Sequence, residues 1–396
     1  MGGEKMTKLD QLVTKLCPDG VEYRKIKDVY KRLKGTPITA RKMKEIDNPA
    51  GDIRVFAGGR TVINSFEEDI PNANIVRSPA VLVQSRGVID VVYYEEPFTF
   101  KNEMWAYTTE NIVSIKYLYY VLKNNIQQFR DAASGMGSLP QISLKVTEEF
   151  AIPLPPLPIQ SEIVRILDNF TKLAAELAAE LEKREKQYAY YRDELLSNEI
   201  DRRALKQICL SSRAGGTPLK SNRSYYENGT IPWLRTQEVI FNEIYNTDCH
   251  ITELAVQETS AKWVPSNCVV VAISGASAGR CAINKIPLTT NQHCLCIEIN
   301  PSIALYKYVF YCVCNQYEEL ISKKEGARGD LNSTRILSLE IPIPPLPEQE
   351  RIVNILERFD TLVNDIKSGL PAEIEARRKQ YEYYRDKLLT FKEIGV

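Results

Sequence analysis

The sequence has two histidines, three tryptophans and no CxxC pair, and its 51 basic residues are cancelled by 51 acidic ones. His250 and His293 therefore lack the companions a metal site needs. Nine cysteines, an odd number without zinc-type spacing, argue against both a metal cluster and a disulfide framework. Reduced, buried thiols are expected instead, and in LTTNQHCLCIEI the alternation points Cys294 and Cys296 to one face of a strand. No apolar run approaches the ~18 residues that cross a bilayer. The start, MGGEKMTKLDQLVTKL, has no apolar signal core, so a cytoplasmic protein with no membrane partner is expected. There is no GxxxxGK[ST] loop, no GxGxxG after a strand and no [DNS]PP[YFW] stretch, which leaves the chain without a recognisable nucleotide or amino-methylation centre. Zero net charge gives no global sign of nucleic acid. The charge is uneven, however: nine basic residues (Arg24, Lys25, Lys27, Lys31, Arg32, Lys34, Arg41, Lys42, Lys44) crowd residues 21–44, and 158–200 has an acidic excess. By itself such a run reads more simply as a solvated face than as a binding surface.

What the sequence does have is repetition. IPLPPLPIQSEIV begins at residue 152 and IPIPPLPEQERIV at 341, 189 positions later. At that offset Ser85 falls on Ser274, Asn102 on Asn291 and Tyr117 on Tyr306, while Ile163, Leu167 and Phe170 fall on Ile352, Leu356 and Phe359. A GTP triplet also recurs, at 35–37 and 216–218. The chain reads as two copies of a module, each a globular part followed by a helix. The globular parts, about 21–150 and 202–340, mix β-rich runs such as AVLVQ and CVVVAI with turns and helical pattern, an α+β reading. After Pro158 the apolar residues step by four and three through Ile163, Leu167, Phe170, Ala174, Leu177 and Leu181 to Tyr188, Tyr191 and Leu195, a heptad seam. The second copy keeps the seam through Ile352, Leu356, Phe359, Val363, Ile366 and Leu370, with four extra residues near Ser368–Pro371 where the helix should kink or break. If the seams pair, chain order makes the helices antiparallel, each ~60 Å long, in a rod with a head at each end about an approximate twofold axis. The proline stretch is then a stiff joint between head and helix.

Two similar but diverged heads on a rigid spacer suit a target with two half-sites at fixed separation, as duplex DNA offers. The heads supply basic and amide side chains near predicted loops, among them Arg86, Lys101, Asn102, Arg235, Arg280, Asn291 and Gln292. The duplicated order, the two proline joints, the helix ends KQYAYYRDELL and KQYEYYRDKLL, and the stretches GGTPLKSNRSYYENGTIPWLRT and PLTTNQ resemble the specificity subunit of type I restriction-modification systems over essentially the whole chain.

That resemblance implies two target recognition domains, 1–157 and 201–346, and two spacer helices, 158–200 and 347–396. It implies a non-catalytic subunit in which each domain reads half of a bipartite, gapped DNA sequence. Two modification subunits would carry S-adenosylmethionine for adenine N6 methylation, and restriction subunits would add ATP- and Mg2+-dependent translocation and cleavage; no cofactor falls to this chain. By the family pattern the residues at DNA are Gly58, Gly59, Arg60, Ser85, Arg86, Lys101 and Asn102 in the first head. Their second-head counterparts are Lys220, Asn222, Arg223, Arg235, Ser274, Ser277, Asn291 and Gln292, with Trp233 read as core. Gln160, Tyr191, Arg192, Gln349, Tyr384 and Arg385 are candidates for helix packing and for the modification subunits. A non-DNA interaction scaffold and a DNA-modifying enzyme with an unrecognised centre are the rival readings.

Overall fold

The computed structural model describes residues 7–70, 72–134, 139–197, 201–322, 331–364 and 368–395. The fold is α+β and consists of two compact units, Met1–Ala178 with Glu373–Val396, and Ala179–Ala372.

In the first unit, strands Lys31–Lys34, Trp105–Thr108, Ala80–Gln84 and Asp90–Tyr94 form an antiparallel sheet in that order. The run AVLVQ is apolar at every position but the last because both faces of its strand are covered. Val81 and Val83 point to the helix Ile112–Asn124, where Leu118, Val121 and Leu122 are buried, and Ala80 and Leu82 point to Phe56, Phe98 and Phe100. The last three belong to a second sheet, Val62–Ser65, Ile53–Phe56 and Phe98–Phe100.

The second unit repeats this plan. Cys209–Ala214, Cys294–Ile299, Val269–Ala272 and Cys281–Asn284 are consecutive in its main sheet, extended by Asn242–Ile244, a parallel strand without counterpart in the first unit. Cys294 and Cys296 do share a face, together with Cys268, and all nine cysteines are free thiols. Burial pushes the Cys268 and Cys294 thiols up to about 12.

Each joint is more than an extended strut. Ala151–Pro153 pairs antiparallel with Tyr23–Lys25, and Glu340–Pro342 pairs with Arg202–Ala204, so the strands leading into and out of each head lie side by side. The helix then starts one residue before its first proline, at Leu157 and at Leu346, where a missing amide hydrogen costs nothing. Behind it, Gln160 donates from Nε2 to Pro155 O (2.8 Å) and accepts from the Ser114 hydroxyl (3.0 Å). Gln349 donates to Pro344 O (2.8 Å) and Ile303 O (3.1 Å) and accepts from the Leu305 amide (2.8 Å). The Tyr117 hydroxyl donates to Pro153 O and that of Tyr308 to Pro342 O, while Lys116 pairs with Asp168 and Lys307 with Glu357. The counterpart of Tyr117 is therefore Tyr308, not Tyr306: the repeats slip by two residues along this head helix and regain the 189 offset at the prolines.

The first spacer helix is continuous over Leu157–Leu196, 40 residues. The second is interrupted at the four extra residues, where a kink or break is expected: Leu346–Asn364 and Leu370–Leu389 are separate helices, with Pro371 in the first turn of the latter. Ile366 lies outside the described residues. In the first unit Phe170 stacks on Tyr384 (5.7 Å between ring centroids) and meets Tyr381 edge-on, while Ile163 and Leu167 share a buried cluster with Leu388. In the second, Phe359 stacks between Tyr188 and Tyr191, and Leu356 and Ile352 share a cluster with Leu196. Rising numbers meet falling ones in both, which is antiparallel seam packing.

One element of the first unit has no repeat. The helix Lys8–Leu16, capped by Thr7, buries Leu9 against the spacer helices and pairs Lys8 with Glu162 (3.0 Å). Arg165 and Lys8 hold the buried Glu162 carboxyl near 2, well below the usual value. The following turn reaches the far end of the chain, Val21 N donating to Lys392 O (2.8 Å) and Ile394 N to Val21 O (3.1 Å).

Candidate nucleic-acid interface

In the first head, two turns and the QSRG segment converge beside the end of strand Ala80–Gln84. Gly58–Arg60 is the tight turn joining Ile53–Phe56 to Val62–Ser65; Gly59 takes φ +73°, which suits glycine. Its amide donates to Arg86 O (2.9 Å), tying the turn to the QSRG segment. Lys101–Met104 is the second turn, closed by Met104 N donating to Lys101 O (2.9 Å). A cleft of about 650 Å³ is lined by Gly58, Gly59, Arg86 and Lys101, together with Lys44 and Leu139. Arg60, Arg86 and Asn102 are exposed and carry no hydrogen bond or ion pair from their side chains among the described residues, whereas Lys101 pairs with Glu103 (3.0 Å). Ser85 departs from expectation. It is fully buried, and its hydroxyl donates to the Glu103 carbonyl, so it shapes the surface without being presented on it.

The second head arranges the corresponding residues differently. Lys220 and Arg223 are exposed, Arg223 only loosely near Glu227 at 4.0 Å. Asn222 caps a short turn by accepting from the Ser224 amide (3.2 Å). Arg235 lies between Glu238 (3.5 Å) and Asp248 (3.4 Å), partly buried, and Glu238 in turn accepts from the Arg235 and Asp248 amides. Asn291 is buried and accepts from the His293 amide (3.0 Å). Gln292 accepts from the Thr217 hydroxyl, and its Nε2 lies 3.2 Å from His293 Nε2. Arg235, Asn291 and Gln292 are thus engaged within the head. Ser274 and Ser277 flank the turn at Gly275 and are half-buried. The register also slips here: Ile142 N donates to Ser85 O, but Leu331 N, 189 residues later, donates to Ile273 O, so Ile273 rather than Ser274 ends the strand as Ser85 does. Trp233 is core, as read, its indole donating to Gly216 O (3.1 Å).

The basic run of 21–44 is largely answered from within. Arg24 pairs with Glu22, Lys25 and Lys27 with Glu149, Arg32 with Glu148 and Arg41 with Glu45. Lys31, Lys34, Lys42 and Lys44 have no such partner among the described residues.

At the helix ends the two copies of YYRD are presented alike. Tyr190 and Tyr383 are 64% and 63% exposed, and Tyr191 and Tyr384 38% and 37%. Arg192 lies over the Tyr188 ring at 5.8 Å and Arg385 over Tyr381 at 5.6 Å. Gln160 and Gln349, by contrast, are buried in the joints and offer a partner nothing.

The profile described as Type I restriction modification DNA specificity domain matches residues 18–184 and again 198–376. The chain belongs to this family. It is 39% identical over 356 residues to the EcoR124I/EcoR124II specificity subunit of Escherichia coli, covering 86% of this chain and 87% of that protein. It is 30% identical over 317 residues to a putative type I restriction enzyme specificity subunit of Haemophilus influenzae, covering 73% and 77%. The fold is shared with the crystal structure of a type I S subunit from M. genitalium, at TM-score 0.60, 17% identity and coverage of 93% and 96%. The S-subunit structure from Thermoanaerobacter tengcongensis is similar at TM-score 0.51 and 15% identity, covering 94% of this chain and 97% of that one. Within this type I specificity chain, Gln141 lines a second cleft of about 690 Å³ beside Asn102 and Lys34, the latter a member of the basic run. Nothing in the sequence neighbourhood of Gln141 marks it, because pairing between distant segments brings it there.

Proposed function

We propose that this chain supplies the DNA sequence specificity of a type I restriction-modification complex, each head reading one half of a bipartite, gapped target. The observation that carries this reading is the repeated joint. Two heads with diverged surfaces are each fixed to a spacer helix by the same buried glutamine and tyrosine links and the same half-buried lysine–carboxylate pair, so reading can differ while mounting stays constant. The equal presentation of Tyr190-Tyr191-Arg192 and Tyr383-Tyr384-Arg385 supports two copies of one partner, the modification subunits, which would bring S-adenosylmethionine for adenine N6 methylation. Restriction subunits would bring ATP and Mg2+. Since the first head neutralises most of its basic run itself, DNA binding by this chain alone is expected to be weak and steeply salt-dependent.

The test is a genome-wide map of N6-methyladenine with and without the gene. A bipartite motif that vanishes with the gene is the expected result. Methylation by the purified chain with S-adenosylmethionine alone would instead favour a catalytic centre of its own, and an unchanged methylation map would favour a scaffold.

A further inference from the structure

Ser85 joins two loops that no sequence motif connects. Its hydroxyl donates to Glu103 O in the Lys101–Met104 turn, and its carbonyl accepts from Ile142 N (2.9 Å). The first loop is further held by Lys101 N donating to Phe56 O (2.9 Å). The second is held by Gly87 N donating to Pro140 O (2.8 Å) and by the paired amides and carbonyls of Ser134 and Gln141 (3.0 and 3.1 Å). Each loop lifts one exposed amide side chain, Asn102 and Gln141, into the same cleft, with Lys34 on its rim. Neither amide has a hydrogen-bond partner among the described residues, although the backbone beneath each is pinned. Fixed backbone under an exposed amide without an intramolecular partner is preorganised for an outside partner that offers a donor and an acceptor together. In duplex DNA that partner is the major-groove edge of adenine, whose N6 donates and N7 accepts.

We propose that Gln141, with Asn102, reads adenine in the half-site of the first head, and that Ser85 is the positioning residue that sets both. This rests on the DNA-specificity reading above, and it assigns base readout to a residue outside the repeated motifs.

The test replaces the gene by Gln141→Ala, Gln141→Glu and Ser85→Ala in cells that hold the partner subunits, and maps the methylated motif. With Gln141→Ala, one A·T position of one half should relax by about tenfold or more in preference, the other half staying as it was. Gln141→Glu, of nearly the same shape but able only to accept, should move that position toward cytosine, whose N4 donates. Ser85→Ala should blur that position and a second one in the same half, which a general loss of stability would not do. An unchanged motif with both Gln141 variants overturns the assignment and leaves the specificity reading intact. A uniform fall in methylation with no position relaxed also overturns it, since that is how a phosphate contact behaves. Absence of any gene-dependent motif in the unaltered strain removes the reading beneath it.

Discussion

The two heads share strand order, joint and helix seam, yet treat their polar side chains in opposite ways. In the first, the side chains of Arg60, Arg86 and Asn102 have no hydrogen-bond or ion-pair partner among the described residues. In the second, Arg235 is held by Glu238 and Asp248, Asn291 by the His293 amide and Gln292 by Thr217. An aligned residue type is therefore a poor guide to an aligned role: at the 189 offset Asn102 falls on Asn291, but the backbone bonds match Asn291 to Lys101, Lys101 N donating to Phe56 O and Asn291 N to Leu234 O. The outward groups of the second head are Lys220 and Arg223, in the segment after its GTP triplet.

This contrast can be broken or sharpened by paired substitutions. The largest effect is expected at the joints. Gln349→Ala removes the partner of three backbone groups, one buried and two partly buried, and should lower stability by about 3 kcal/mol, against about 2 kcal/mol for Gln160→Ala, whose lost partners are one carbonyl and one hydroxyl. Urea unfolding measures both, and equal losses would mean that the joints are not as unequal as their hydrogen bonds. Next come the arginines. Arg235→Ala removes the one cation that pairs with Glu238 and Asp248 among the described residues and should destabilise by about 1.5 kcal/mol, whereas Arg60→Ala should stay within about 0.5 kcal/mol. For DNA the order reverses: Arg60→Ala should weaken binding by the complex equally for all sequences and lower the salt slope by about one.

A smaller effect separates the units by pH. The Glu162 carboxyl is held near 2 in the folded chain, so the stability it lends is complete above the ordinary carboxylate value of 4.5 and is lost as pH falls from there toward 2. Amide exchange in Lys8–Leu16 should therefore accelerate over that window; the residue 189 positions on, Arg351, pairs with Glu348 inside its own helix and so ties no second element to the spacer. The slightest effect is chemical. The buried thiols of Cys268, Cys294, Cys296 and Cys312 should resist alkylation at neutral pH while the half-buried Cys209 and Cys249 label, as peptide mass spectrometry would show.

Much of this fold was legible in the sequence because its signals are local and repeated. Prolines fix where the helices begin, a three-four spacing gives the seam, and Pro371 gives the break. The AVLVQ and VVVA runs announce strands buried on both faces. The reading failed where position depends on pairing between distant segments. A two-residue slip ahead of the head helix moved the partner of Tyr117 from Tyr306 to Tyr308 without disturbing either end of the alignment. Ser85, polar and at a strand end, looked like surface, but the turn carrying Glu103 folds over it. Gln141 carried no signal at all, since only the crossing of two loops makes it prominent. The Gln160 and Gln349 side chains were noticed for the right reason, their repetition, and given too outward a role.

Pairing of Tyr23–Lys25 with Ala151–Pro153, and of Arg202–Ala204 with Glu340–Pro342, places the two doorways of each head next to one another. Everything between them can be exchanged for another reader of any length without moving the scaffold, as a lamp is changed without rewiring its socket. Recombination at these ladders would exchange a whole reader in one event and leave the spacer helix that carries it untouched.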